Sequence, residues 1–265
     1  MISSASPPTA NRLDAPIKEV TELLAKFSTP LYQYDSDHRP ELIGTGFFVK
    51  AGGSSFLVSA AHVLDVAKNR GLFFYIAPKT TRNLSGRLIR SNHEDNRHSD
   101  LIDVGVLRLS AESEPPYPEV DKFAMEPSYL RPRFRPRTAK AYAVIGFPAT
   151  KNRASGARRE VSAIPYAFHH LEPIDEGQYE SHGLQPDTHI ALKLDVRRGF
   201  GPGGTKQHFP DPYGMSGSPI VVLYDLAGDE NVTRVVGVAT TYRKHSRLVF
   251  GTDIGYVIQM MENPA

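Results

Sequence analysis

The sequence predicts an all-β protein built from short antiparallel strands, with a short helix near each end. Two observations support this prediction. From residue 41 the apolar residues occur in short runs separated by turn residues, and helical spacing of apolar residues is confined to the chain ends. A chain of 265 residues can bury one large β domain or two barrels of about 100 to 120 residues each. The strand pattern alone leaves that choice open.

The composition narrows the chemistry. Lys and Arg total 31 against 29 Asp and Glu, so the net charge of +2 predicts no nucleic-acid surface. The absence of cysteine excludes disulfides, thiolate metal sites and thiol nucleophiles, and it suits a reducing compartment. No apolar run forms a signal-peptide core or approaches the ~18 residues of a membrane span. We therefore expect a cytoplasmic protein with a polypeptide or small-molecule partner and no membrane association.

The first 30 residues predict an arm followed by a helix. Residues 1–14 are rich in Ser and Pro, which is typical of a loose arm. Apolar residues then recur at spacings of three and four, which places them on one helix face: Ile17, Val20, Leu23, Leu24 and Phe27. We expect this short amphipathic helix to pack on the body of the protein.

A β-hairpin is predicted next. It combines the strand residues 42–49, the turn 52–55 and the return strand 56–59. The return strand leads into Ser59-Ala60-Ala61-His62, where a helical turn can begin. This places His62 at the end of a buried strand.

An aspartate stands at the start of a later strand. Asp103 precedes residues 104–109, whose apolar side chains suit a half-buried strand. A carboxylate at that position is partly shielded from water and needs a hydrogen-bond donor. Asp100 lies at the same strand entrance and is the alternative.

The stretch Tyr213-Gly214-Met215-Ser216-Gly217-Ser218-Pro219 leads into an apolar run at residues 220–223. A turn of small residues before a buried strand can hold one hydroxyl at an exposed bend. The amides of Gly214 and Ser216 are then free to point at a substrate oxygen. Because Gly, Ser and Pro are also common in loops, an ordinary turn is the alternative.

Three motifs, in this chain order, resemble those of the trypsin/chymotrypsin-like serine peptidases. Ser59-Ala60-Ala61-His62 is similar to Thr-Ala-Ala-His, and Asp103-Val104-Gly105-Val106-Leu107 is similar to Asp-Ile-Ala-Leu-Leu. Gly214-Met215-Ser216-Gly217-Ser218-Pro219 is similar to Gly-Asp-Ser-Gly-Gly-Pro. The resemblance covers about residues 41–260. The position of the second motif in the sequence favours Asp103 over Asp100. The lack of cysteine fits an intracellular, bacterial-type member.

The resemblance implies two antiparallel six-stranded β-barrels with the site between them. The expected boundaries are an arm and helix at 1–30, a first barrel at 31–125 and a second barrel with a carboxyl-terminal segment at 139–265. Residues 126–138 are proline-rich and carry arginines at alternate positions, which favours an exposed linker over an anionic-ligand site.

The resemblance also implies a catalytic triad, with no cofactor and no metal. His62 is the expected base, Asp103 orients it, and Ser216 is the nucleophile. The expected oxyanion hole consists of the amides of Gly214 and Ser216. Met215 stands where secreted zymogens have an aspartate, so activation by amino-terminal processing is not expected.

The resemblance leaves two possibilities open for substrate specificity. The pocket base falls near Asp211, and an inward-facing Asp211 predicts a preference for Lys or Arg. Tyr242 in place of a wall glycine instead predicts a narrow pocket for small residues. The candidate substrate-binding residues are Asp211, Tyr213, Thr240, Thr241 and Tyr242.

The expected function is that of a serine endopeptidase that forms an acyl-enzyme. We expect its activity to be limited by an activating or inhibiting protein partner or by narrow specificity. The alternative is a catalytically latent trypsin-like binding or scaffold module.

Overall fold

Two curled antiparallel sheets form the body of the protein, which confirms the predicted fold class. The computed structural model describes residues 22–66, 71–91, 100–110, 120, 123–132, 139–152, 163–194, 199–200, 206–208, 210–226 and 230–263. The sheets contain seven and eight strands. Each sheet contains a ring of six strands.

The first sheet runs in the order β5-β4-β1-β2-β3-β7-β6. Ser85 alone separates β5 from β6, so the two outermost strands are consecutive in the chain and act as one bent strand. The sheet therefore closes as a six-membered ring. Its strands are β1 Ser28–Tyr34, β2 Pro40–Ala51, β3 Ser54–Ala60, β4 Leu72–Ala77, β5 Thr80–Leu84, β6 Gly86–Arg90 and β7 Val104–Leu109.

The second sheet runs in the order β10-β15-β14-β13-β8-β9-β11-β12, and β10 also pairs with β9. That additional pairing closes six strands into a ring and leaves β11 and β12 as a small ribbon beyond β9. Its strands are β8 Ala139–Gly146, β9 Tyr166–Pro173, β10 His189–Lys193, β11 Gly199–Phe200, β12 Lys206–Gln207, β13 Pro219–Leu226, β14 Glu230–Arg243 and β15 Leu248–Asp253.

Three short helices belong to the described part of the chain, besides single 3₁₀ turns and residues 120 and 123, which are also helical. Residues 22–27 are helical (α1), α2 is Ala61–Asp65, and α3 is Gly255–Glu262. Leu24 of α1 is fully buried and belongs to the same apolar cluster as Met261 of α3. Ile17 and Val20 of the predicted amino-terminal helix lie outside the described residues. None of the helices in the described ranges is long and apolar enough to cross a membrane.

The segment predicted as an exposed linker, 126–138, is described over residues 126–132, where Leu130 is buried, Tyr129 is half-buried and the other five residues are exposed. Met125 exchanges backbone hydrogen bonds with β2, through Phe48 and Lys50, and the Arg131 amide donates to the Val235 carbonyl of β14 at 2.9 Å. Leu130 is only 4% exposed. These contacts fasten residues 123–132 across both sheets, because a backbone that runs over a buried surface must satisfy its polar groups. Arg133, Arg135 and Arg137 lie outside the described residues.

One apolar cluster contains side chains from both sheets. It includes Val58 and Val106 of the first sheet and Ile145, Val221 and Val235 of the second, all with essentially no exposed surface. Burial of a valine or isoleucine side chain contributes about 1.5 to 3 kcal/mol. This shared core holds the two sheets together, so that the end of β3, the start of β7 and the loop before β13 lie beside one another.

Candidate active site

His62 and Asp103 form a directly hydrogen-bonded pair. The His62 Nδ1 lies 2.7 Å from Asp103 Oδ2, and the backbone amide of His62 donates to Asp103 Oδ1 at 3.0 Å. The Ala61 amide also donates to the Asp103 carbonyl at 2.9 Å. Since a carboxylate is an acceptor, Nδ1 carries the proton and Nε2 is left as the basic nitrogen. The His62 side chain is 43% exposed and that of Asp103 15%, so the base is reachable while its partner is shielded.

Asp100 supports the loop that carries Asp103. Its Oδ1 accepts the amides of Ile102 and Asp103 at 3.2 and 3.1 Å, and Ser91 Oγ donates to its Oδ2 at 2.7 Å. Asp103 itself has a left-handed backbone with φ +44°. A non-glycine residue occupies that region only when its surroundings hold it there. Of the two candidate aspartates, Asp103 contacts His62 and Asp100 braces the loop.

Ser216 lies in the second of two consecutive tight turns. The amide of Met215 donates to the Pro212 carbonyl at 2.9 Å, and the amide of Ser218 donates to the Met215 carbonyl at 3.0 Å. The third residue of each turn is a glycine, with φ +92° at Gly214 and +90° at Gly217. Positive φ at the third position is the requirement of a type II turn. The two turns place Ser216 at a bend just before β13.

Both glycines are also required by close packing. A Cβ on Gly214 would lie 2.5 Å from Leu42 Cδ2 and 2.9 Å from the Ala149 amide nitrogen. A Cβ on Gly217 would overlap Ser59 Oγ and the Thr45 carbonyl. The loop before β13 is therefore pressed against the first sheet, with no space for side chains at these two positions.

The next feature of the loop is the hydrogen bonding around the amides of the predicted oxyanion hole, Gly214 and Ser216. The Tyr213 carbonyl accepts the Ala149 amide at 2.7 Å, and the Ser216 carbonyl accepts the Thr45 amide at 2.8 Å. These bonds turn both carbonyls away from the bend. Within the described part of the chain, the amides of Gly214 and Ser216 donate no hydrogen bond.

The Ser216 hydroxyl does not contact His62 in this conformation. Its Oγ donates to the Thr240 carbonyl at 3.0 Å, and no hydrogen bond joins it to His62 among the described residues. The structure thus brings His62 and Asp103 into direct contact and leaves the serine hydroxyl directed to β14. A change of side-chain rotamer about one bond is the motion that redirects such a hydroxyl.

Met215 anchors the loop in the core of the second barrel. Its side chain is 4% exposed and packs in an apolar cluster with Val144, Phe168 and Ile220. In secreted zymogens, by the family resemblance, the corresponding aspartate takes part in a salt bridge. Here apolar burial of about one large side chain, worth roughly 1.5 to 3 kcal/mol, holds the same position.

A small apolar cavity of about 30 Å³ adjoins Ser216. Thr240, Thr241 and Tyr242 line it, together with Phe168 and Met215. No charged side chain is present among its described lining residues.

Two other candidate substrate residues lie outside that lining. Asp211 is exposed, and its Oδ1 accepts the Tyr213 amide at 3.1 Å. Its charge, together with the larger effect of burial, raises the pKa of Tyr242. Tyr213 is 63% exposed. The Asp211 carboxylate thus caps the first tight turn, and the preference for Lys or Arg that an inward-facing Asp211 implies stays a prediction.

Thr45 is a site residue whose side-chain role sequence reasoning did not identify. It is fully buried in β2, its Oγ1 donates to the Gly214 carbonyl at 2.9 Å, and the same oxygen accepts the Phe147 amide at 3.1 Å. Its carbonyl accepts Ser59 Oγ at 2.6 Å. The sequence predicted only the strand at residues 42–49, because the partners of the Thr45 side chain are far away in the chain.

Known protein structures agree with this arrangement at the level of the fold. The solved structure of human heparin binding protein is 15% identical, with a TM-score of 0.54, over 91% of this chain and 93% of that one. A double mutant of the same protein is 14% identical, with a TM-score of 0.55, over 92% and 94%. No protein-family model and no curated protein matches the sequence. At these identities the similarity defines the fold alone, which is the chymotrypsin-like double barrel of the trypsin-like serine peptidases.

Proposed function

We propose that the protein is a serine endopeptidase that uses His62, Asp103 and Ser216. The observation that carries the proposal is the pair of hydrogen bonds, 2.7 and 3.0 Å long, by which Asp103 holds both the ring and the backbone of His62. This arrangement selects the tautomer with a basic Nε2, as acyl transfer to a serine requires. The chymotrypsin-like fold and the free amides beside Ser216 support the same reaction.

The proposed reaction has two halves. Ser216 Oγ bonds to the substrate carbonyl carbon while its proton moves to His62 Nε2, and the carbonyl oxygen gains the electron pair. The amides of Gly214 and Ser216 stabilise that oxyanion. The carbon–nitrogen bond then breaks, and His62 donates its proton to the departing amine. Water repeats the sequence on the acyl-enzyme and releases the acid.

A catalytically latent binding module is the second candidate, and one observation favours it. The Ser216 hydroxyl donates to the Thr240 carbonyl, so the resting serine is not paired with its base. In the endopeptidase the hydroxyl leaves this carbonyl and turns to His62 when the substrate binds. Hydrogen bonds in catalytic sites without substrate are often incomplete in this way.

Labelling with a small fluorophosphonate distinguishes the two candidates. Intact mass is measured for the wild type, Ser216→Ala and His62→Ala after exposure to excess reagent. One adduct on the wild type that both substitutions abolish is the expected result. Absence of any adduct on the folded wild type would overturn the endopeptidase proposal and favour the binding module.

We further infer that the cavity beside Ser216 receives a small aliphatic side chain on the acyl side of the cleaved bond. A volume of about 30 Å³ holds about two water-sized groups, which suits alanine or valine. A lysine or arginine would lose hydration there without a carboxylate to pair with, because Asp211 is exposed outside the lining. Narrow specificity of this kind would also limit damage to other proteins.

Matched peptides test this preference. They differ only in the residue before the cleaved bond, which is Ala, Val, Phe or Lys, and kcat/KM is compared. We expect Ala or Val to exceed Phe and Lys by about tenfold or more, since misfit of one or two methylenes costs that much. A preference for Lys would instead assign the pocket to Asp211.

We retain two further proposals that follow from the sequence. The first is a cytoplasmic location, and the second is control by a protein partner in addition to narrow specificity. The buried Met215 supports a loop that needs no amino-terminal processing. Turnover is compared between the full chain and a chain without residues 1–21. Equal rates would exclude the amino-terminal arm as an element that controls activity.

A further inference from the structure

We propose that His189 and Thr252, both in the second barrel, are positioning residues that set the orientation of the Asp103 carboxylate. The effect that we expect on kcat rests on the proposed endopeptidase function, whereas the expected effect on the orientation of Asp103 does not. The two side chains form what we call the strand clamp. They reach from the second sheet to the loop of the first sheet that carries Asp103.

The strand clamp holds two successive carbonyls directly before Asp103. Thr252 Oγ1 donates to the Ile102 carbonyl at 2.5 Å, and His189 Nε2 lies 3.1 Å from the Leu101 carbonyl. His189 and Thr252 are opposite each other in the register of β10 and β15. They are 4% and 0% exposed. One rung of the second sheet thus presents two buried donors to adjacent peptide groups of the other sheet.

The partners of the His189 ring fix its tautomer. The Gln185 amide donates to Nδ1 at 3.1 Å, and Thr188 Oγ1 lies 2.6 Å from the same nitrogen. Nδ1 also lies 3.2 Å from the Gln185 carbonyl, which already accepts the His189 amide at 2.9 Å. Because the Gln185 amide can only donate, Nδ1 is the acceptor and the proton is on Nε2. Because a carbonyl oxygen can only accept, the Nε2 proton is the one that binds Leu101. The short turn before β10 thereby prepares His189 as a donor.

Local propensity alone is weak support for the conformation of Asp103. Asp103 has φ +44°, a conformation that is uncommon outside glycine and that aspartate tolerates better than most residues. Asp100 binds the amides of Ile102 and Asp103 from within the loop. The clamp binds the carbonyls from outside. Without the clamp, we expect the loop to relax towards ordinary φ and the carboxylate to move from His62.

A set of four variants tests the clamp. Thr252→Val and His189→Phe each remove one donor, and Thr252→Ser restores a hydroxyl. Thr233→Val is the matched control, since Thr233 is also a buried threonine of the second sheet, and its hydroxyl has no hydrogen bond to the loop among the described residues. Circular dichroism and denaturant unfolding establish that each variant is folded.

The direct readout is the proton between His62 Nδ1 and Asp103 Oδ2, observed by NMR as a downfield resonance and assigned by its loss in Asp103→Asn. Thr252→Val and His189→Phe are expected to shift or broaden this resonance and to speed its exchange with water by about tenfold. Thr252→Ser and Thr233→Val are expected to retain it. This measurement does not depend on turnover.

The kinetic readout is a fall in kcat of about 10- to 100-fold for Thr252→Val with KM unchanged, rescued by Thr252→Ser. An unchanged resonance in folded Thr252→Val would overturn the clamp, even if His189→Phe fails to fold. A clamp-dependent resonance in a wild type that forms no fluorophosphonate adduct would overturn the endopeptidase and leave the clamp standing.

Discussion

The two sheets hold their residues of the candidate active site in different ways. On the first-sheet side, both carboxylate oxygens of Asp103 are engaged by His62, at 2.7 and 3.0 Å. On the second-sheet side, Ser216 lies between two left-handed glycines, and its hydroxyl points to Thr240. His62, the proposed base, is thus already oriented, whereas Ser216, the proposed nucleophile, still has one rotamer change to make.

Each side is nevertheless fastened by the other. Thr45 of the first sheet binds the loop of Ser216, and the strand clamp, His189 and Thr252, of the second sheet binds the loop of Asp103. The loop of each sheet that carries candidate site residues is therefore held in part by side chains of the other sheet. The shared apolar core and these few buried hydrogen bonds act together, so that the geometry of the site depends on how the two barrels pack.

Removal of either reacting group is expected to have the largest effect. Ser216→Ala and His62→Ala should each lower kcat by about a million-fold, and the double variant little further, because the residues act as a unit. Asp103→Asn should lower it about 10⁴-fold by favouring the wrong tautomer. Peptide hydrolysis with His38→Asn as the control, an exposed histidine in the β1–β2 turn, measures this. Additive losses would contradict a shared mechanism.

The next largest effect is expected at the bend that carries the nucleophile. Gly214→Ala should lower kcat about 100- to 1000-fold, since a Cβ collides with Leu42 and the displaced loop loses its oxyanion amide. Gly53→Ala is the control, because Gly53 has φ +75° with open space around its Cα. Equal activity in the two variants would show that the loop accommodates a Cβ at Gly214, which would contradict the role of crowding there.

A smaller effect is expected from breaking the link from the first sheet to the Ser216 loop. Thr45→Val leaves the Gly214 carbonyl without its donor and the Phe147 amide without its acceptor. The free energy of unfolding should fall by about 1 to 3 kcal/mol, and denaturant titration measures it. Thr45→Ser keeps the hydroxyl and should lose much less. Identical losses in the two variants would assign the role of Thr45 to packing alone.

The smallest effect is expected in the cavity. Tyr242→Ala enlarges the pocket, so kcat/KM for a peptide with Phe or Leu before the cleaved bond should rise about tenfold. The value for alanine should fall slightly as the pocket loses contact with it. The same peptide series measures both changes, and Tyr242→Phe should leave the preference unaltered. An unaltered preference in Tyr242→Ala would place the pocket wall elsewhere.

Local sequence patterns were sufficient for the fold class, and the family resemblance predicted that His62 pairs with Asp103. Period-two apolar runs and glycine turns predicted the strands, and they also predicted Asp103 at the start of β7. Gly214 and Gly217 could be read as turn residues, because only glycine tolerates φ near +90° under such crowding. Family resemblance added the two-barrel arrangement, which the structure confirms.

Other features were beyond local patterns. Asp211 has the right charge for a basic pocket, yet its carboxylate binds the amide two residues on, a choice that depends on loop packing. Residues 126–132 have linker composition, yet Leu130 is buried against β14. In both cases the composition of the segment was known from the sequence, but the residues that pack against it were not.

The sequence by itself determined the strands, the turns and the residue types available for acyl transfer, because these depend on backbone preferences and side-chain chemistry over a few residues. Only the tertiary structure decided which groups hold them. Thr45 and Gly214 are 169 residues apart, Leu101 and His189 are 88 apart, and Ile102 and Thr252 are 150 apart. Hydrogen bonds over such separations exist only after both barrels have closed and packed, and no local pattern encodes them.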